Sequence, residues 1–162
     1  MKRDPVDKLQ RAWVARDPEL EPGALGVVLR IQALARIFMT QVEESLAEFG
    51  LSWWQYDVLS TLLRQGKPYT LSPGELLEEA SLSSGAMTTR IDGLLKAGWV
   101  TRIRDDVDRR RVLVALTPAG KALVEQAAVA RFAAAEAALA QLPEARRKTL
   151  NDLLRDLLAL QT

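Results

Sequence analysis

The chain of 162 residues contains no cysteine and no histidine. Without cysteine there can be no disulfide, thiolate nucleophile, thiol redox sensor or thiolate metal site, and the composition suits a reducing compartment. Without histidine, imidazole general-base catalysis and histidine-ligated zinc are excluded as well. An enzyme would have to work from carboxylates, lysine, tyrosine or hydroxyls alone. The sequence has no nucleophile elbow, phosphate loop or glycine-rich dinucleotide turn, so neither catalysis nor a cofactor is expected. The N-terminus, MKRDPVDKLQ, lacks the apolar stretch of a signal peptide, and no window reaches the roughly 18 apolar residues of a membrane span. A cytoplasmic protein with no membrane partner is the expectation.

An excess of charge of one sign is also missing: 22 basic residues face 21 acidic ones, for a formal net charge of +1. Any affinity for a polyanion must therefore come from where the basic residues sit rather than from their number. With 48% apolar and 27% charged residues the chain is of globular type, long enough for one core and short for two domains.

What is present is a succession of helix signals. Pro5, Pro18 and Pro22 punctuate residues 1–23, leaving room for a short helix around Val6 to Ala15. From Ala24 to Phe49, Leu25, Val28, Ala35, Phe38, Val42 and Leu46 recur at helical steps, and Gly50 ends the pattern. Ser52 with Gln55 starts a helix that runs to Arg64. Ser72, Pro73 and Glu75 form a stronger start, with cap, first-turn proline and capping box, for a short helix ending near Ala80. Ser83 caps the next helix, in which Met87, Ile91, Leu94 and Leu95 share one apolar stripe before Gly98. Two helices separated by a few residues have the spacing of a helix-turn-helix, whose second helix offers a polar face to the major groove.

After Gly98 the period falls to two. Trp99 to Arg104 and Arg111 to Leu116 read as strands of a hairpin around Asp105 to Arg110. Thr117 and Pro118 begin a further helix, alanine-rich between Gln126 and Gln141 and interrupted at Pro143. The last segment places Leu150, Leu153, Leu154, Leu157 and Leu158 on one stripe that needs a partner surface. The fold class expected is mainly α: a winged helix-turn-helix with N- and C-terminal dimerisation helices and one two-stranded β-hairpin wing.

In this order, Leu51-Ser52, Leu71-Ser72-Pro73-Gly74-Glu75-Leu76, Ser83 to Asp92, Gly98-Trp99-Val100, Asp105 to Arg110 and Leu116-Thr117-Pro118-Ala119-Gly120 resemble the multiple-antibiotic-resistance regulator (MarR) family. The likeness covers roughly residues 24–160. It implies a single unit over 1–162, with residues 1–50 and 117–162 as dimerisation helices and 51–116 as the DNA-binding lobe. It implies a cytoplasmic transcription regulator, a repressor by expectation, that binds a pseudo-palindromic operator in double-stranded DNA as a homodimer. One departure stands out: where the family's wing often has Asp-Pro, this chain has Asp105-Asp106, which adds a negative charge near the DNA.

Within that frame, five arginines between positions 102 and 111 make the hairpin a cationic finger. The resemblance places Arg110 in the minor groove with Asp108 holding its guanidinium; Arg109 is a second candidate, and Arg111 serves either a phosphate or the strand. On the recognition helix a wheel at about 100° per residue turns Thr89 and Lys96 away from the apolar stripe. Ser83, Ser84, Thr88, Thr89 and Lys96 are the donors available to phosphates or base edges, with Ser83 serving equally as a cap.

The family also responds to small anionic or aromatic ligands. Trp13, Asp57 and Arg90 resemble the urate-responsive branch, in which a stacking Trp, an acceptor Asp and a pairing Arg receive a purine. A structural Arg90–Asp57 ion pair and a core-filling Trp13 are the competing reading. Two other functions remain open: a constitutive or architectural DNA-binding protein without effector, and a winged-helix protein-interaction module.

Overall fold

The computed structural model describes residues 3–80, 84–105 and 108–161, with residues 84–86 described by their backbone alone. In chain order the elements are α1 (Pro5–Arg16), α2 (Gly23–Ala47), α3 (Trp53–Arg64), β1 (Thr70–Leu71), α4 (Pro73–Glu79), α5 (Ser84–Lys96), β2 (Val100–Arg104), β3 (Val112–Leu116), α6 (Pro118–Leu139) and α7 (Glu144–Ala159). The chain divides into two compact units, residues 1–41 and 42–162.

In the first unit, α1 is set by a capping box in which Asp4 Oδ1 accepts from the Asp7 N–H at 3.0 Å and Asp7 Oδ2 accepts from the Asp4 N–H at 2.9 Å. Both carboxylates then receive the Arg30 guanidinium of α2, at 2.8 Å from Asp4 and 2.6 Å from Asp7. The hydrogen bond from Arg30 holds the Asp4 carboxyl below its ordinary value. The expected short helix around Val6 to Ala15 thus forms and extends by about a residue at each end.

Against the expectation that no window reaches membrane length, α2 is long and apolar enough to cross a bilayer by length and composition, with a mean hydropathy of 1.4. Only Arg30 and Arg36 interrupt residues 24–42. Its expected apolar stripe is buried only at Val42 and Leu46 and half-buried at Phe38; Leu25, Val28 and Ala35 are exposed.

In the second unit the core gathers around α3, whose residues Tyr56 to Leu62 are all buried. Leu76 of α4, Met87, Ile91 and Leu94 of α5, Val114 of β3 and Val124 of α6 complete it. The three residues Met87, Ile91 and Leu94 belong to the stripe read from the sequence, and Leu95 packs at its margin. Gly98, with φ of 74°, ends the α5 turn in the left-handed region that favours glycine.

The expected two-stranded hairpin forms from β2 and β3, and β1 joins it to give a three-stranded antiparallel sheet in the order β1-β3-β2. β2 and β3 pair from Val100 opposite Leu116 to Arg104 opposite Val112, and β1 adds Thr70 opposite Ala115. The extra strand is two residues long, too short for alternation to show in a sequence.

At the base of the wing the chain turns into α6 through a close contact. Thr117 Oγ1 donates to the Gly98 carbonyl at 2.8 Å and accepts from the Gly120 N–H at 3.0 Å. Gly120 lies so near β2 that a Cβ there would stand 1.9 Å from the backbone oxygen of Trp99. Backbone cannot step aside as a flexible side chain can, so Gly120→Ala is expected to destabilise the fold by about 1–3 kcal/mol. A urea titration should show a lower midpoint with an unchanged slope; an unshifted midpoint would contradict this packing.

Candidate nucleic-acid interface

The helix-turn-helix is built by α4 and α5, which pack on each other with residues 80–83 between them. Ser72 and Glu75 start α4 as the sequence suggested: Glu75 Oε2 accepts from the Ser72 N–H at 2.7 Å, and Ser72 Oγ accepts from the Glu75 N–H at 3.3 Å. These bonds to Ser72, with a smaller contribution from Arg111, hold the Glu75 carboxyl below its ordinary value.

Because α5 buries Met87, Ile91 and Leu94, its opposite side is left to solvent, where Thr88, Thr89, Asp92 and Lys96 are exposed. Ser84 opens the helix. Ser83 lies outside the described residues, as does Asp106, so the readings placed on those two have no structural counterpart.

The wing carries its arginines in two different ways. Arg102 reaches back from β2 to Asp92 of α5 at 2.8 Å, and Arg111 reaches Glu75 of α4 at 3.1 Å and Asp105 at 3.8 Å. Arg104, Arg109 and Arg110 are exposed, with 93% of the Arg110 side chain open to solvent. Among the described residues, two of the five, Arg102 and Arg111, are thus committed to acids on the helix-turn-helix. The others project outward, which is the condition for meeting phosphate or a narrow minor groove.

Asp108 acts chiefly on the backbone. Its Oδ1 accepts from the Arg110 N–H at 3.0 Å, and the Arg110 Nε stands farther off at 3.4 Å. Its carbonyl accepts from the Arg111 N–H at 2.8 Å. Asp108 therefore shapes the turn that presents Arg110 more than it restrains the guanidinium. Sequence reasoning passed over Glu75 and Asp92 as parts of this surface, because their partners lie 36 and 10 positions away and nothing local marks such pairs.

The three residues assigned to a ligand fare differently. Asp57 is buried, and among the described residues its Oδ2 has no hydrogen-bond partner. Arg90 is half-buried with its guanidinium carbon 5.4 Å from the centre of the Trp54 ring, a cation–π contact. Among the described residues no ion pair joins Arg90 to Asp57, so the structural pair considered as the alternative is not formed. Trp13 belongs to the first compact unit, where it is 46% exposed and lines an open groove of about 320 Å³ with Leu20, Glu21, Pro22 and Leu25. It does not fill a core.

Near Asp57, burial raises the Tyr56 hydroxyl above its ordinary value, and Arg131 and Arg64 oppose that shift. The Arg64 guanidinium donates to Ser60 and Thr61 hydroxyls at 3.2 and 2.9 Å. Trp54, Tyr56 and Arg131 were not singled out from sequence, where aromatic and basic residues at helical spacing look like ordinary core and surface.

Comparison with known proteins agrees with this geometry. The MarR family model matches residues 49–111, which span α3, the helix-turn-helix, β2 and the wing turn and stop short of β3. The HTH-type transcriptional regulator PecS of Dickeya dadantii is 28% identical over 121 residues, 75% of this chain and 73% of that protein. The multiple antibiotic resistance protein MarR of Escherichia coli is 43% identical over 85 residues, 52% of this chain and 57% of its own length. Among solved structures, a mutant E. coli MarR complexed with operator DNA superposes with a TM-score of 0.74 at 26% identity, covering 86% of this chain and 99% of that one. BpsR of Bordetella bronchiseptica, whose DNA binding is regulated by 6-hydroxynicotinic acid, superposes with a TM-score of 0.70 at 26% identity, covering 86% and 96%. PecS is a transcription regulator of the helix-turn-helix type.

Arg110 is the most exposed guanidinium of the wing ion pairs, so its loss should be felt by DNA and not by the fold. Arg110→Ala is expected to weaken operator binding by about 1–3 kcal/mol, read by mobility shift, with an unchanged thermal midpoint. Wild-type affinity in that variant would overturn the wing assignment.

Proposed function

We propose that the chain is a DNA-binding transcription regulator of the MarR family that acts as a homodimeric repressor, released from a pseudo-palindromic operator by a small anionic aromatic effector. The observation that carries the DNA half of this reading is the pairing of an outward polar face on α5 with an arginine-tipped wing, joined by the Asp92–Arg102 ion pair. Thr88, Thr89 and Lys96, exposed on α5, supply donors to the major groove and its phosphates. Arg109 and Arg110, on the turn shaped by Asp108, supply the minor-groove contact.

The dimer is supported by apolar surface that the single chain leaves open. On α7, Leu153, Leu154, Leu157 and Leu158 are 62%, 44%, 39% and 66% exposed, and on α6 Val129 and Phe132 are 72% and 75% exposed. Monomers rarely leave contiguous apolar patches of such size in water. A two-fold pairing would set two recognition helices about one helical turn of DNA apart, roughly 10 bp. Leu153→Asp with Leu157→Asp is expected to yield a monomer in sedimentation analysis and to reduce operator affinity. A variant that stays dimeric would place the interface elsewhere.

The effector half is supported by two polar groups that have no opposite partner among the described residues: the buried Asp57 Oδ2, and the Arg90 guanidinium, which rests on Trp54. A purine such as urate, or a related aromatic acid, brings an N–H or O–H for the first and a delocalised anion for the second. BpsR's regulation by 6-hydroxynicotinic acid concerns a ligand of that class. Calorimetric titration with urate, xanthine and hydroxylated aromatic acids is expected to show binding that Asp57→Asn and Arg90→Ala abolish, while operator binding persists. Absence of heat with every one of them would leave a constitutive DNA-binding protein.

A further inference from the structure

The Glu75 carboxylate is committed on both oxygens. Oε2 closes the capping box of α4 on the Ser72 N–H at 2.7 Å, while Oε1 receives the Arg111 guanidinium from the base of the wing at 3.1 Å. One side chain therefore joins the start of the first helix of the helix-turn-helix to the loop that carries Arg109 and Arg110. Asp105, within 3.8 Å of the same guanidinium, completes the bracket, and its N–H donates to the Arg111 carbonyl at 3.1 Å.

From this arrangement we propose that Glu75 is a positioning residue for DNA binding, and that Arg111 is a strut between wing and α4 rather than a phosphate contact. The inference rests on the DNA-binding reading above and adds to it a division of labour among the wing arginines. The Arg111 guanidinium donates to Glu75 and lies near Asp105, so a phosphate would compete with two carboxylates for its planar fork. Arg104, Arg109 and Arg110 form no comparable bridge to the helix-turn-helix among the described contacts and remain outward.

The two roles for Arg111 predict effects of opposite sign when Glu75 is changed to Gln. Gln serves in a capping box as Glu does, so the Ser72 N–H keeps its acceptor and α4 its start. With its oxygen on the Ser72 N–H, however, Gln turns its NH2 toward the Arg111 guanidinium, donor against donor, where Glu75 offers its second carboxylate oxygen. If Arg111 is a strut, the wing loses its fixed height and operator affinity falls. If Arg111 is a phosphate contact, removing a neighbouring negative charge frees it and affinity rises.

The experiment is a mobility-shift titration of Glu75→Gln, Arg111→Gln and the double variant at two salt concentrations, with thermal unfolding of each. For an exposed ion pair the expected loss in each single variant is roughly two- to fivefold. The double variant should lose no more than either single one, because both remove the same bracket, and thermal midpoints should stay near that of the unmodified chain. Tighter binding by Glu75→Gln, or additive changes of opposite sign, would overturn the proposal and return Arg111 to the DNA. If Arg110→Ala also binds like the unmodified chain, the failure lies with the wing reading itself.

Discussion

The structure turns on one close approach: the first turn of α6 against the backbone of Trp99. Thr117 is both cap and tether there, accepting from Gly120 and donating to Gly98, while Gly120 has no Cβ to hold the strand away. Three elements meet at this point: the end of α5, the first residues of the wing and the start of the long C-terminal helix. A larger residue at position 120 would collide with a peptide oxygen, and a residue without a hydroxyl at 117 would leave the first N–H groups of α6 uncapped. The recognition helix, the wing and α6 are thereby made parts of one body. The stated function requires this, since groove contacts from α5 and from the wing tip must be offered at a constant separation.

On that body charge is used sparingly. With basic and acidic residues nearly equal in number, binding strength cannot come from a general positive field. It comes from local imbalance, produced by spending acids where they hold arginines in place while Arg104, Arg109 and Arg110 stay exposed. Asp92 draws in Arg102, Glu75 and Asp105 draw in Arg111, and Asp108 bends the turn under Arg110. The paired arginines stiffen the wing, while exposed pairs like these add little to global stability. Their effect lies in geometry, which is where a DNA-reading hairpin is sensitive.

Much of this was legible from local signals. Ser72-Pro73-Gly74-Glu75 announces a helix start because each residue answers one unsatisfied N–H or one fixed φ, and the stripe from Met87 to Leu94 announces which side of α5 is inward. Asp4-Pro5-Val6-Asp7 obeys the same grammar, and its reciprocal cap forms, although the surrounding prolines made only a short helix expected there. What could not be read were relations across the chain. β1 is two residues whose pairing partner lies beyond position 113, and the acids that bind Arg102 and Arg111 sit on other elements. Arg90 looked like a partner for Asp57 by residue type, but its guanidinium settles on the Trp54 ring. A charge on a helix flank is compatible with either neighbour until packing decides.

The open apolar surface shows what the folded chain still lacks. α2 exposes Val27, Ile37 and Met39, and α7 exposes leucines along its whole length. A bilayer is a poor cover for α7, because Arg146, Arg147, Lys148, Asp152, Arg155 and Asp156 interrupt its sequence and would have to be dehydrated with it. A protein surface with its own polar rim suits it better, and in the proposed dimer a second copy provides one. In such a dimer α6 runs from the apolar region, where Val129 and Phe132 are open, to the Thr117–Gly120 contact under the wing. A ligand that altered how two copies pack would move the far end of α6, and with it the base of the wing, as a rigid lever. Release from DNA would then need no unfolding of the reading head, only a change in the distance between two heads that each remain intact.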